Sequence, residues 1–96
     1  MIIKKIVWNE EKNQLLQLQR GLSFELVLDE IEKGNILGRK AHPNSAKFPN
    51  QKIFILLLND YVCYVPFVEN DTKIFLKTII PSRKLDKEYK ERQNEN

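Results

Sequence analysis

The apolar and polar positions sort into two helices followed by a run of strands. From Ile2 to Val7 a short apolar run, interrupted by Lys4 and Lys5, reads as an edge strand with its charges outward, closed by Trp8. Asn9 is a good N-cap, and Glu10 and Glu11 fall in the first turn, where carboxylates suit the helix dipole. Leu15, Leu16 and Leu18, with Trp8 nearby, give an apolar stripe, so a helix is expected from about Asn9 to Gln19, stopped by Gly21. Ser23 caps a second helix. In it Phe24, Val27, Leu28 and Ile31 recur at helical spacing, while Glu25, Asp29, Glu30, Glu32 and Lys33 face water. Gly34 and Asn35 end that helix. Ile36 and Leu37 read as a brief strand or turn, followed by the basic Gly38-Arg39-Lys40.

Ala41 to Asn50 has no apolar period. His42-Pro43-Asn44 and Phe48-Pro49-Asn50 are two similar turn signals, and the loop holding them is either functional or a plain connector. Beyond it, Lys52 to Leu58 and Tyr61 to Val68 flank Asn59-Asp60, the pattern of a tight hairpin, and a second hairpin is expected at Asn70-Asp71. Two-residue loops set the register. Leu58 then lies opposite Tyr61, Leu56 opposite Cys63 and Phe54 opposite Val65; on the next strand Val65 meets Leu76 and Tyr64 meets Lys77.

One sheet face is then Phe54, Leu56, Leu58, Cys63, Val65, Phe67, Ile74 and Leu76, packed on the helices. The other carries Ile53, Ile55, Leu57, Tyr64, Pro66, Lys73, Phe75 and Lys77. It is too apolar to stand bare, so the C-terminal segment, a partner or a ligand covers it. Alternation from Lys73 onward puts Ile74, Leu76, Thr78 and Ile80 on one side and Lys73, Phe75, Lys77 and Ile79 on the other. Pro66 calls for a bulge or one-sided pairing. Leu85 and Tyr89, four residues apart, give a short C-terminal helix one docking edge, with residues 90–96 fraying.

Composition narrows the classes. The 96 residues suit one domain with one core, and 42% hydrophobic with 30% charged is an ordinary globular mixture. A net charge of +3 and a pI near 9.0 permit an anionic partner without demanding one. The one cysteine excludes an internal disulfide, and Cys63 reads as a small buried hydrophobe. No Cys/His set has zinc-ligand spacing, so neither metal nor cofactor is expected. No stretch approaches the roughly 18 apolar residues of a membrane span, and a cytoplasmic location is the expectation.

The chemistry concentrates near the C-terminus. Lys73 and Lys77 flank Phe75 on one side of a strand; Pro81 ends the strand and Ser82-Arg83-Lys84 leaves it as a basic corner. Two lysines, an aromatic ring and an arginine suit a phosphate backbone with a base to stack; the alternative is an ordinary solvated sheet face. His42, the one histidine, is either a surface turn residue or a group for proton transfer near neutrality. Tyr64 is a candidate stacking ring, or half-buried packing with its hydroxyl at the rim. Gly-rich phosphate loops and the G-x-S-x-G nucleophile pattern are missing from the sequence.

Trp8-Asn9-Glu10-Glu11-Lys12 followed by Gly21-Leu22-Ser23-Phe24 resembles the W-D-x-x-K and H-G-[VI]-x-F signature of BrnT-type toxins of bacterial type II toxin–antitoxin systems. Ile79-Ile80-Pro81-Ser82-Arg83-Lys84 is similar to their I-I-S-A-R-[KR] segment, and the likeness spans roughly Ile6 to Tyr89. It implies a fold like RelE and ParE, metal-independent cleavage of mRNA, and neutralisation by a small antitoxin encoded alongside. In such ribonucleases the ribose 2′-hydroxyl attacks the adjacent phosphate while basic side chains stabilise the developing charge. By that analogy Arg83 and Lys84 match the basic end and Lys12 the helical lysine. Arg20 stands where the pattern has His, Gln19 where it has Lys, and Gln51-Lys52 where an Arg precedes the first hairpin strand.

The resulting expectation is a single α+β domain: two N-terminal helices on an antiparallel sheet of about four strands, with a short C-terminal helix. Arg83, Lys77 and His42 are the expected catalytic set, and Lys73, Lys84, Tyr64, Phe75 and Lys12 the RNA-binding set. The alternative is a non-catalytic module, or a degenerate toxin that only binds its antitoxin.

Overall fold

The computed structural model describes residues 4–93. Ile2 and Ile3 of the expected first strand, and residues 94–96 of the expected tail, lie outside them. Along the described chain come β1 (Lys5–Trp8), α1 (Glu10–Arg20), α2 (Phe24–Glu32), β2 (Ile36–Ala41), β3 (Lys52–Leu58), β4 (Tyr61–Glu69), β5 (Lys73–Leu76), β6 (Ile80–Pro81) and α3 (Arg83–Gln93). The protein is thus α+β, with three helices and one sheet. That sheet is mixed rather than a four-stranded antiparallel one. Its order is β1-β5-β4-β3-β2, with β6 also on β4, and β1 runs parallel to β5.

Local chemistry accounts for the helix ends. The Asn9 side chain accepts the Lys12 N–H at 3.0 Å and Ser23 Oγ the Leu26 N–H at 3.3 Å, each satisfying a first-turn amide that has no partner in its own helix. Gly21 closes α1 at φ 65°, a left-handed conformation that glycine takes without penalty. The expected stripe on α1 is narrower than its three leucines. Leu16 is buried, but Leu15 and Leu18 are 48% and 84% exposed, and the inward position beside Leu16 belongs to Asn13.

The first hairpin has the expected register, Leu58 with Tyr61, Leu56 with Cys63 and Phe54 with Val65. Asn59 and Asp60 both have positive φ, as a two-residue hairpin turn requires. The second hairpin differs. Asn70 Oδ1 accepts the amides of Thr72 and Lys73, widening the turn, so Leu76 pairs with Phe67 rather than Val65. This is a shift of two, so every side chain keeps its face. Between β5 and β6 the pairing slips by one further residue, and the faces do exchange. Ile79 is fully buried in the helix-side core, and Tyr64 pairs with Ile80, not Lys77. Pro66 is paired in step with Ile53 and makes no bulge; its carbonyl accepts the Lys77 N–H at 2.8 Å on the other side. Its missing N–H falls at the break between β5 and β6, where no ladder bond is lost.

Ile36-Leu37 begins a six-residue edge strand that includes Gly38-Arg39-Lys40, with a bulge at Leu37. Of the two sheet faces, α1 and α2 cover the one carrying Phe54, Leu56, Val65 and Phe67. The opposite face, with Ile53, Ile55 and Val62, is covered by the chain itself, through Leu85 and Tyr89 of α3. Ile53 and Ile55 are therefore buried, and of the three expected covers it is the C-terminal segment that lies over them.

Candidate nucleic-acid interface

Two backbone anchors place the start of α3 against β4. Ser82 donates its N–H to the Val62 carbonyl at 3.0 Å, and Asp86 Oδ1 accepts the Val62 N–H at 3.0 Å. Asp86 is almost fully buried and also pairs with Lys90 at 3.2 Å, so its charge is matched. Ser82 Oγ caps the helix by accepting the Leu85 N–H. The first turn of α3 thereby projects Arg83 and Lys84, both exposed, beside the far face of the sheet. Cations at a helix N-terminus oppose the macrodipole by about 0.3–1 kcal/mol each, a cost that an anion bound there relieves.

Lys84 and Ser82 line a cavity of about 480 Å³ whose other walls include Lys40, Ile53, Tyr64 and Glu88. The loop from β2 to β3 closes toward it. The His42 N–H donates to the Gln51 carbonyl at 3.1 Å across the neck of the loop, and Phe48 donates to the Asn44 carbonyl at 3.0 Å. The His42 ring lies 4.7 Å from Phe48 and meets Tyr64 edge-on at 6.5 Å. Its Nδ1 accepts the Asn44 N–H at 3.0 Å, so in the neutral ring the proton is on Nε2. In this geometry the imidazole offers a hydrogen-bond donor rather than a base.

The same face continues past Pro66 to β5. Lys5 and Lys73 are neighbours in the parallel pair, an arrangement of like charges that is unfavourable without an anion. Phe75 is half-buried, with the Lys77 ammonium 5.2 Å from its ring centre. Of the residues singled out from sequence, Tyr64 and Lys84 therefore line one cavity, His42 stands beside it through its edge contact with Tyr64, and Lys73, Phe75 and Lys77 form a second stretch of the same face. Arg83 adjoins the cavity through its two chain neighbours. Lys12 lies on α1, in the layer across the sheet, and does not join them.

Sequence reasoning missed Lys40 and Glu88 at the cavity. In the sequence Lys40 stands only as part of the basic Gly38-Arg39-Lys40, because the bulge at Leu37 breaks the alternation that marks a strand. Cys63 lies on the helix side, and burial pushes its thiol up to about 11, so it is no nucleophile near neutrality. Elsewhere Glu69 gathers Lys4 at 2.9 Å, Arg39 at 2.6 Å and Lys52 at 3.5 Å. The hydrogen bond from Lys4, reinforced by the charge of Arg39, holds its carboxyl below the ordinary glutamate range. Among the described residues no three His, Cys, Asp or Glu side chains cluster as metal ligands would, and no helix is long and apolar enough to cross a membrane. Comparison of the chain with models of known protein families, with curated proteins and with solved structures gave no match in any of the three.

Proposed function

We propose that the protein is an RNA-cleaving toxin of the BrnT kind, with a RelE-like fold, restrained by a small antitoxin encoded beside it. The observation that carries this reading is the cavity at Tyr64. There an aromatic ring and two lysines line the cavity, with the His42 imidazole edge-on to Tyr64 beside it, on the face that also bears Lys73, Phe75 and Lys77. A base stacks on Tyr64, and Lys40 and Lys84 neutralise the adjoining phosphates. The ribose 2′-hydroxyl loses its proton to Glu88, the carboxylate at the cavity, and its oxygen attacks phosphorus. As that bond forms, the bond from phosphorus to the 5′ oxygen breaks; the 5′ oxygen keeps the electron pair and takes a proton from water. His42 donates from Nε2 to a phosphate oxygen, and the Arg83 guanidinium and Lys77 stabilise the developing charge. Incubating the purified protein with a defined RNA in the presence of a chelator tests this. The expected products are fragments ending in a 2′,3′-cyclic phosphate, with the all-2′-deoxy strand left intact. Cleavage of the deoxy strand, or no cleavage of RNA, refutes it.

One observation favours a second reading, a non-catalytic module that only binds a partner: Leu15, Leu18 and Leu26 stand exposed on the helix layer. Growth arrest on expression separates the two, since only the active toxin causes it.

A further inference from the structure

The chemistry above makes no use of the groove that continues from the Tyr64 cavity between β2 and α3. A second cavity of about 230 Å³ shares Lys40, Leu85 and Glu88 with the first, so the two lie side by side along the groove between β2 and α3. Its far end is bounded by Leu37 of β2 and by Tyr89 and Arg92 of α3. Gly38, having no side chain, leaves part of the floor at backbone level, and a Cβ there would make only an ordinary contact with Ile55 Cδ1 at 3.4 Å. Arg39 also borders the groove, but its guanidinium is engaged by Glu69. Lys40, Lys84 and Arg92 therefore face Glu88 alone along the groove, an excess of positive charge beside half-buried apolar and aromatic surface.

We infer that this groove holds the flank of a single-stranded RNA. One nucleotide beyond the one at Tyr64 rests its base on Tyr89 and Leu37, with its phosphate between Lys40 and Arg92. This rests on the RNA-cleaving reading above and extends it to the length and strandedness of the substrate. A stacked ring and a cation together grip an unpaired base and its phosphate, whereas the edges of a paired base are not open to such a groove.

The test uses the full chain and labelled 2′-O-methyl RNA, which binds without being cut, in strands of about three and about eight nucleotides, bracketing the lower end of known single-strand site sizes. Tyr89→Leu, which keeps an apolar side chain against Ile55 and Val62, is combined with Arg92→Ala. Affinity for the longer strand is expected to fall about tenfold or more. Affinity for the shorter strand stays unchanged, and the slope of log affinity against log salt for the longer strand flattens by about 0.7, the share of one released counterion. Arg92→Ala alone, at an exposed position, carries the salt measurement should the double variant fail to fold. Equal loss on both strands means a structural role and overturns the inference, as does no loss on either; in both cases the RNA-cleaving reading stands. Failure of the unsubstituted protein to bind either strand overturns both.

Discussion

Replacing Asn13 by alanine removes the amide that ties α1 to the start of α2. The side chain is 0% exposed. Its Oδ1 accepts the Phe24 N–H at 2.7 Å, and its Nδ2 donates to Glu25 at 2.8 Å and Glu10 at 3.2 Å. Phe24 opens α2, so its N–H has no acceptor within the helix, and alanine leaves it buried and unpaired at a cost of about 1–3 kcal/mol. Glu10 and Glu25 are exposed and recover their hydrogen bonds from water, so their loss adds little. Alanine's better helix propensity returns about 0.5 kcal/mol. The net expectation is a loss of about 0.5–2.5 kcal/mol from a domain worth about 5–15 kcal/mol. At about 4–8 °C per kcal/mol, the melting temperature falls by about 2–20 °C. Asn13→Asp separates the interactions, because it keeps the acceptor for Phe24 but sets a third carboxylate beside Glu10 and Glu25. It should destabilise at neutral pH and recover as the pH is lowered. Thermal melts of both variants across pH decide the matter: an Asn13→Ala protein melting within about 1 °C of the parent refutes the reasoning.

Arg83→Ala is expected to lower RNA cleavage by about 10²–10³-fold, with Arg83→Lys restoring only part, because lysine cannot grip two phosphate oxygens at once. Stability should hold within about 0.5 kcal/mol, since among the described residues Arg83 forms no ion pair and Asp86 is taken by Lys90; full activity in the folded alanine variant removes it from the mechanism. Glu69, whose pKa is lowered on folding, contributes stability that is complete above its ordinary value of 4.5 and is lost as the pH falls through the lower folded value. Melting temperature against pH should therefore drop below that range in the parent and respond less in Glu69→Gln; parallel curves would show that the cluster contributes nothing.

Local chemistry was legible in the chain. The caps at Asn9 and Ser23, the glycine after α1, and the two-residue turn at Asn59-Asp60 act over at most four residues, so residue type alone decides them. The helix-side core followed from the same alternation, and it survived the widened Asn70 turn because a shift of two preserves faces. Basic and aromatic character near the C-terminus was equally plain, and residue type alone marks Tyr64, His42 and Lys84 as candidates.

What needed the tertiary structure was every decision resting on distant parts of the chain. The parallel pairing of β1 with β5 joins segments separated by the whole hairpin system, and no local pattern encodes it. The slip between β5 and β6 places Ile79 inside and Ile80 at the edge, because the ladder breaks opposite Pro66 and the fully buried site on the helix side takes the isoleucine that reaches it. Burial of Ile53 and Ile55 depends on α3 docking back across the sheet, which the buried Asp86 secures by bonding the Val62 amide. Asn13 reads as an unremarkable polar helix residue until α2 delivers an unpaired N–H to it. Lys40 and Glu88 come together only because an edge strand and a C-terminal helix meet at one end of the sheet. Periodicity settled which residues turn inward along α2 and the first hairpin, whereas the inward side of α1, the exchange of faces after β5 and the partner each element meets were set by contacts between segments far apart in sequence.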